Sequence, residues 1–254
     1  MILTSKNNPF IKETATLKDK KGRKQTGLFL VEGVKMAREC QKSGYEIERI
    51  IVAESFCQSE AFTEFSSLET VCVSNDVFRH LADEKTPQGV LCRVKIPALA
   101  LEKPQSSCLV LDGVADPGNV GAIIRSANAA GYKEIYLTDD CADPFSPKAV
   151  RASMSGVLFT KIYQGSRAEI LSALSNTPIL VADMGGENAF SFHAPEKFAL
   201  AIGNEANGIS TVVAEKAAYT VKIPMEETQE SLNAAVSAGI LMYLLKKEYF
   251  LTVK

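Results

Sequence analysis

Length, composition and charge exclude several classes of answer before any motif is read. The chain has 254 residues, 46% of them hydrophobic, with 28 Lys and Arg against 30 Asp and Glu, enough apolar content to bury one large core or two modest ones and too much for a disordered polypeptide. The longest apolar run, residues 240–245, is far too short to span a bilayer, and nothing before Thr4 reads as a signal segment, so the expectation is a soluble, cytoplasmic protein with no membrane partner.

The six cysteines (Cys40, Cys57, Cys72, Cys92, Cys108 and Cys141) form no C-x-x-C pair and have no His at metal-ligand spacing. They read as small core residues of a reducing compartment, with no metal site and no disulfide scaffold expected. The net charge of −2 argues against a general nucleic-acid binder. Residues 1–25 nevertheless gather Lys6, Lys12, Lys18, Lys20, Lys21, Arg23 and Lys24 against only Glu13 and Asp19. Such a run is either a solvated face or a surface for phosphates, and Lys6, Lys20, Lys21, Arg23 and Lys24 are the candidate RNA contacts.

Residues 27–31 are strand-like, 34–42 are helical before Gly44 as a C-cap, 47–52 and 70–73 read as strands, and 60–65 and 77–82 as short helices. Thr86-Pro87-Gln88-Gly89 marks a turn before a strand over 90–96. The expected organisation is a small α/β domain over residues 1–97, a linker over 98–107 containing Pro104, and a second α/β domain over 108–254. In the second domain, strands are predicted over 108–111, 134–137, 178–182, 197–202 and 219–223, interleaved with helices near 148–154, 167–174 and 232–247, and with a helix carrying Val120, Ile123, Ile124 and Ala127 at i, i+3, i+4, i+7. Interleaving of this kind implies a parallel sheet covered on both faces, with ligands beyond the carboxyl ends of its strands.

Three loops at such ends concentrate polar residues and glycines. In residues 111–127 an apolar strand runs into Asp112, a turn rich in Asp, Pro and Gly, and a helix opening near Asn119, a capping or ligand-binding candidate; Gly118 and Gly121 permit close approach and Arg125 follows. The segment lacks the glycine spacing of a dinucleotide fold and the lysine of a phosphate loop. Gly203-Asn204-Glu205-Ala206-Asn207-Gly208-Ile209-Ser210 closes another buried strand, and is either a plain turn or a polar ligand contact. In residues 223–245, Pro224 ends a strand, Ser231 is the expected N-cap, and Leu232, Ala235, Val236, Gly239, Ile240 and Tyr243 make one stripe expected to be core; Ser231 and Asn233 stand at the helix mouth.

In this order the three loops resemble the sequence motifs of the SpoU/TrmH family of RNA 2′-O-ribose methyltransferases, within the SPOUT superfamily, through Asp116-Pro117-Gly118-Asn119-Val120-Gly121 with Arg125, Gly203-Asn204-Glu205 with Gly208, and Ile223-Pro224-Met225 with Ser231-Leu232-Asn233. Leu28-Phe29-Leu30-Val31-Glu32-Gly33 and Thr86-Pro87-Gln88-Gly89-Val90 resemble, less specifically, the L30e-like substrate-binding domain often fused to that family. The resemblance implies a deep trefoil knot, a homodimer with the active site near its interface, and S-adenosylmethionine as cofactor. It also implies that Gly203, Asn204, Ile223, Leu232, Met184 and Met225 hold the cofactor, while Asn119, Arg125, Glu205, Ser231 and Asn233 line the catalytic side. Ribosomal RNA is favoured over tRNA as substrate by the two-domain arrangement, and DNA, lacking the 2′-hydroxyl, is not expected. A non-catalytic RNA-binding ribosome-assembly factor retaining the fold is the alternative.

Overall fold

A computed structural model describes residues 2–65, 68–228 and 231–252. In chain order the elements are β1 (Ile2–Leu3), α1 (Pro9–Thr16), α2 (Lys20–Thr26), β2 (Leu28–Glu32), α3 (Val34–Ser43), β3 (Ile47–Ala53), α4 (Glu54–Cys57), a 3-10 turn (Glu60–Phe65), β4 (Thr70–Val73), α5 (Asn75–Leu81) and β5 (Val90–Lys95). They continue with β6 (Cys108–Asp112), α6 (Pro117–Ala129), β7 (Glu134–Thr138), α7 (Pro147–Ser153), α8 (Gly156–Phe159), β8 (Lys161–Gly165), α9 (Arg167–Ala173), β9 (Ile179–Asn188), β10 (Ala199–Gly203), α10 (Thr211–Ala214), β11 (Ala217–Lys222), α11 (Ala234–Leu244) and α12 (Lys247–Thr252). No helix of the described residues is long and apolar enough to cross a membrane.

The chain divides into two compact units, residues 1–98 with 145–158, and residues 99–144 with 159–254. The segment 145–158, which carries α7, thus packs with the first unit although it interrupts the second in sequence. Residues 99–107 form no helix or strand, yet Leu101 packs on the core of the second unit and Glu102 O accepts a 2.8 Å hydrogen bond from the Tyr136 hydroxyl.

The first unit holds a mixed five-stranded sheet in the order β1-β4-β3-β5-β2, with β1, β4 and β3 parallel and β5 antiparallel to both β3 and β2. Its core combines Leu28, Leu30 and Ile51 from the sheet with Ile11, Val77, Phe78 and Leu81 from helices. Gly44 does terminate α3, at φ 79°, a left-handed position that costs glycine little. The expectation of unbridged cysteines is corrected here: Cys57 and Cys72 form a disulfide. Fifteen residues separate them, but α4 follows β3 directly and β4 pairs with β3, which brings together two positions that sequence spacing does not link. The other four cysteines are buried.

The second unit holds a six-stranded, wholly parallel sheet in the order β11-β9-β10-β6-β7-β8. Every residue of β6 and β7 is buried, as a parallel sheet covered on both faces requires. The chain builds β6, β7 and β8 outward in one direction, then crosses to lay β9, β10 and β11 on the other side of β6. Strand order therefore reverses between β6 and β10, where ligands enter open α/β sheets. The stripe expected to be core in α11 is corrected: Val236 is 50% and Tyr243 45% exposed, while Ala238, Leu241 and Met242 are buried. An apolar residue occupies almost every position of this helix, so periodicity alone could not say which side faces the sheet.

Candidate active site

At the reversal point, Gly203 at the end of β10 pairs with Asp112 at the end of β6. Asp112 is buried, and its carboxylate accepts 2.7 Å hydrogen bonds from Arg167 Nε and from the backbone N–H of Ser210. The same guanidinium donates to Asp140 at 2.7 Å. A buried carboxylate without such partners would be costly, and here its partners come from the loop that follows β10 and from α9. Asn204 Nδ2 donates to Gly113 O at 2.7 Å, and Asn204 Oδ1 accepts from the backbone of Ala206 and Asn207. A Cβ on Gly203 would collide with the backbone of Gly208 and Ile209, so the close turn admits only glycine.

The first loop enters α6 through Asp116, whose side chain accepts from Asn119 N at 3.0 Å, with Pro117 at the first helical position. Asn119 is therefore not the cap, and its side chain is left for other partners. Its Nδ2 donates to Glu205 Oε1 at 2.8 Å, and its Oδ1 accepts from Asn233 Nδ2 at 3.0 Å. Asn233 in turn caps α11, its Oδ1 accepting from Ala235 N and Val236 N at 2.9 and 3.3 Å. The expectation that Ser231 caps this helix is corrected, because Asn233 lies next to the first helical residue and has the geometry to take both N–H groups. Glu205, Asn119 and Asn233 thus form one polar chain across all three loops. Burial pushes the Glu205 carboxyl upward, but the Asn119 amide and backbone N–H groups, including that of Ala115, outweigh it and leave its pKa below the ordinary value. It is a carboxylate at neutral pH.

Beside this chain lies a cleft of about 400 Å³, walled by the middle of β9, the ends of β10 and β11, and α11 with the residues leading into it. Met184, Gly203, Asn204, Ile223, Met225 and Leu232 all line it, as do Glu205, Ser231 and Asn233. Asn119 reaches it through its bonds to Glu205 and Asn233. Arg125 does not line it; this residue is exposed on α6 and makes no hydrogen bond or ion pair with another described residue. Sequence reasoning missed the clamp of Arg167, Asp140 and Ser210 on Asp112: the end of a buried strand marks Asp112, but nothing in spacing marks an arginine 55 residues away.

In the basic segment, Lys20, Lys21 and Lys24 are exposed, and Lys6 is exposed but paired with Asp76 at 2.8 Å. Arg23 must be removed from the contact set. It is 3% exposed, and its guanidinium donates to Leu17 O and Lys18 O at 2.8 and 2.9 Å, holding the turn between α1 and α2.

The SpoU rRNA methylase family model matches residues 106–243, more than half of the chain. The chain belongs to the SpoU rRNA methylase family. A model of the MRM3-like substrate-binding domain matches residues 8–92 of this SpoU methylase. It is 32% identical to the 23S rRNA (guanosine(2553)-2′-O)-methyltransferase RlmP of Bacillus subtilis, over 96% of this chain and 98% of that protein. It is 29% identical to the 23S rRNA (uridine(2479)-2′-O)-methyltransferase of Streptomyces viridochromogenes, over 95% and 90%. The AdoMet-bound rRNA methyltransferase of Sinorhizobium meliloti superposes with a TM-score of 0.89 at 26% identity, covering 98% of both chains.

Proposed function

We propose that this SpoU-family enzyme is an S-adenosylmethionine-dependent ribosomal RNA 2′-O-methyltransferase and that its chemistry takes place at the cleft beside Glu205, Asn119 and Asn233. The observation that carries the reading is the polar chain joining the three loops at the point where strand order reverses. The cleft suits the cofactor in kind: backbone comes close at Gly203, Met184, Ile223, Met225 and Leu232 give apolar walls, and Asn204 lies at one end. When bound, S-adenosylmethionine supplies an electrophilic methyl group for the ribose oxygen.

The protein's own task is alignment and charge control. Asn119 is held at both ends of its amide, which fixes its orientation and leaves its second N–H and a carbonyl lone pair for a ribose. Glu205 and Asn233 hold it there. The Arg125 guanidinium carries only N–H donors and no acceptor, so it suits holding an anion rather than taking up a proton. Exposed and uncommitted among the described residues, it serves to grip the phosphate beside the target ribose and to stabilise charge growing on the 2′-oxygen. Lys20, Lys21 and Lys24 add phosphate contacts, with the salt dependence such contacts bring. Ser231 lines the same side of the cleft.

A second copy of the chain is the proposed partner of α11, whose Val236 and Tyr243 are exposed on an apolar helix. Support for a knot is topological: after the edge strand β11, the chain returns past β9 and β10 to place α11 against α6. A cytoplasmic location accords with an RNA substrate of this kind. Mapping ribose methylation across total RNA after gene deletion, then restoring the missing site with purified protein and S-adenosylmethionine, tests the activity; unchanged methylation overturns it. Arg125→Lys, expected to lose turnover with cofactor binding intact, tests the arginine's role.

A further inference from the structure

Away from the cleft, the first unit contains a pocket of about 190 Å³, every lining residue of which belongs to that unit. Leu30, Met36, Leu81, Leu91, Val150 and Met154 give it apolar walls. Three carboxylate residues line it: Glu32, Asp83 and Glu84. Glu32, the last residue of β2, uses Oε2 to accept from Asp83 N at 2.7 Å and Glu84 N at 3.3 Å, while its Oε1 is buried with no hydrogen-bond partner. Lys35 and Arg151 lie among the same lining residues, Arg151 paired with Asp83. A buried carboxylate oxygen without a donor is costly, so an occupant bringing an N–H group into this pocket removes a standing penalty.

We propose that this pocket receives one unpaired guanine base of the RNA, with Glu32 Oε1 accepting from its N–H edge. The inference rests on the reading of the protein as an RNA methyltransferase, and it gives the substrate-binding domain a specific contact. Volume and chemistry select the class. The space equals about six waters at ~30 Å³ each, which suits a planar heterocycle and is below the usual range of sites for whole small molecules. Single-stranded RNA offers bases that can be splayed out, held between apolar side chains and read on their edges. Guanine is favoured because its N1–H and amino group stand together as donors, whereas the corresponding edges of adenine and cytosine place a lone pair beside the amine. Lone pairs facing Glu32, Asp83 and Glu84 would be repelled.

The test uses the full-length protein and short fluorescent single-stranded RNAs that are identical except for one guanosine or N1-methylguanosine. Wild-type protein is expected to bind the guanosine RNA about tenfold more tightly, as a hydrogen bond to a charged group implies. Glu32→Gln can keep its oxygen on Asp83 N and Glu84 N but presents an amide N–H to the base, so it should lose that preference while retaining cofactor affinity. Val150→Trp, which fills the pocket, should lose it as well. Equal binding of the two RNAs by wild type, or an undiminished preference in both variants, overturns the proposal. Methyl transfer to ribosomal RNA is measured in parallel: activity without guanosine preference rejects the pocket alone, and absence of activity rejects the broader reading.

Discussion

Each unit buries a charged group, and the two put it to different use. In the first, the buried Arg93 bonds to the Thr14 hydroxyl at 2.9 Å and to Glu13 at 2.6 Å, lies 3.0 Å from Glu48, and sits over the Phe10 ring. These contacts fasten α1 to the sheet. In the second, the buried Asp112 stands at a strand end and draws Arg167 and the Ser210 backbone toward it, fixing the loop that forms the cleft floor. Buried charge is weak evidence for stability by itself, but its position says what its partners are being held for.

The largest effect should come from the loop that Asp112 holds. Gly203→Ala forces a side chain into the backbone of Gly208 and Ile209, and calorimetry should show cofactor binding abolished, with overpacking costing about 1–3 kcal/mol of stability. Gly208→Ala is the control. Its φ is +68° but its Cβ would meet nothing within 4 Å, so although Gly208 also lines the cleft, the cost is about 1 kcal/mol of backbone strain and a smaller loss of binding than Gly203→Ala. Equal loss of binding in both variants would mean that the loop is merely fragile.

Next in size is Arg93→Met in the first unit. Removing one partner of a buried pair costs about 3 kcal/mol, moderated here because Glu13 is half exposed and can return to water. Urea unfolding should register that loss while cofactor affinity stays at the wild-type value. A weakened cofactor would break the division between scaffold and site.

How much of this was legible differs between the units for a physical reason. The parallel sheet and its polar strand-end loops could be read because apolar runs, glycines and amides recur at local spacing, whereas Gly203, Ile223 and Leu232 came only from the resemblance of those loops to family motifs; all three line the cleft. Asp112 with Arg167, Arg93 with Glu48, and Cys57 with Cys72 could not, since each pairing is made by the fold between positions whose local patterns carry no mark of it. Arg23 misled because a basic run counts charges and cannot show that one guanidinium turns inward to two carbonyls. Helices α1 and α2 lie in that same run and were not foreseen: charge dominated the reading of a segment whose apolar positions, such as Ile11 and Leu17, are buried. In α11 the type of element was legible and its orientation was not.

A smaller effect separates the two roles of Asn233. Asn233→Ala loses both the cap on α11 and the bond to Asn119, and should cost about 1 kcal/mol of stability together with activity. Asn233→Asp keeps an oxygen for Ala235 N and Val236 N but cannot donate to Asn119, and it sets a second carboxylate near Glu205. Stability near wild type with turnover well below it is the expected result. If the aspartate variant turns over normally, the polar chain across the three loops is a structural cap and nothing more.

The smallest predicted effect uses pH to oppose the two units. In the second, the Thr138 hydroxyl and then Arg167 hold the Asp140 carboxyl below the ordinary aspartate value against the opposing effect of burial. A depressed folded-state pKa stabilises above the unfolded value and is lost as pH falls through the folded one, so Asp140 should help the fold above about pH 4 and fail in more acidic solution. Since its side chain is 53% exposed, the contribution is expected to stay below about 1 kcal/mol. Glu32 in the first unit has the opposite sign. Burial raises its pKa above 4.5 despite the Asp83 and Glu84 amides, so its ionisation opposes folding, and relative stability is greatest below the unfolded value and lost as pH rises through the folded one. Urea midpoints between about pH 3 and 8 should therefore show Asp140→Asn falling further below wild type as pH rises through the acid limb, and Glu32→Gln gaining on wild type over a range that begins where that loss levels off. Parallel curves for the two variants would show that neither carboxyl titrates differently in the folded chain, and that the contrast between a carboxylate held by donors and one left with a bare oxygen has no energetic content.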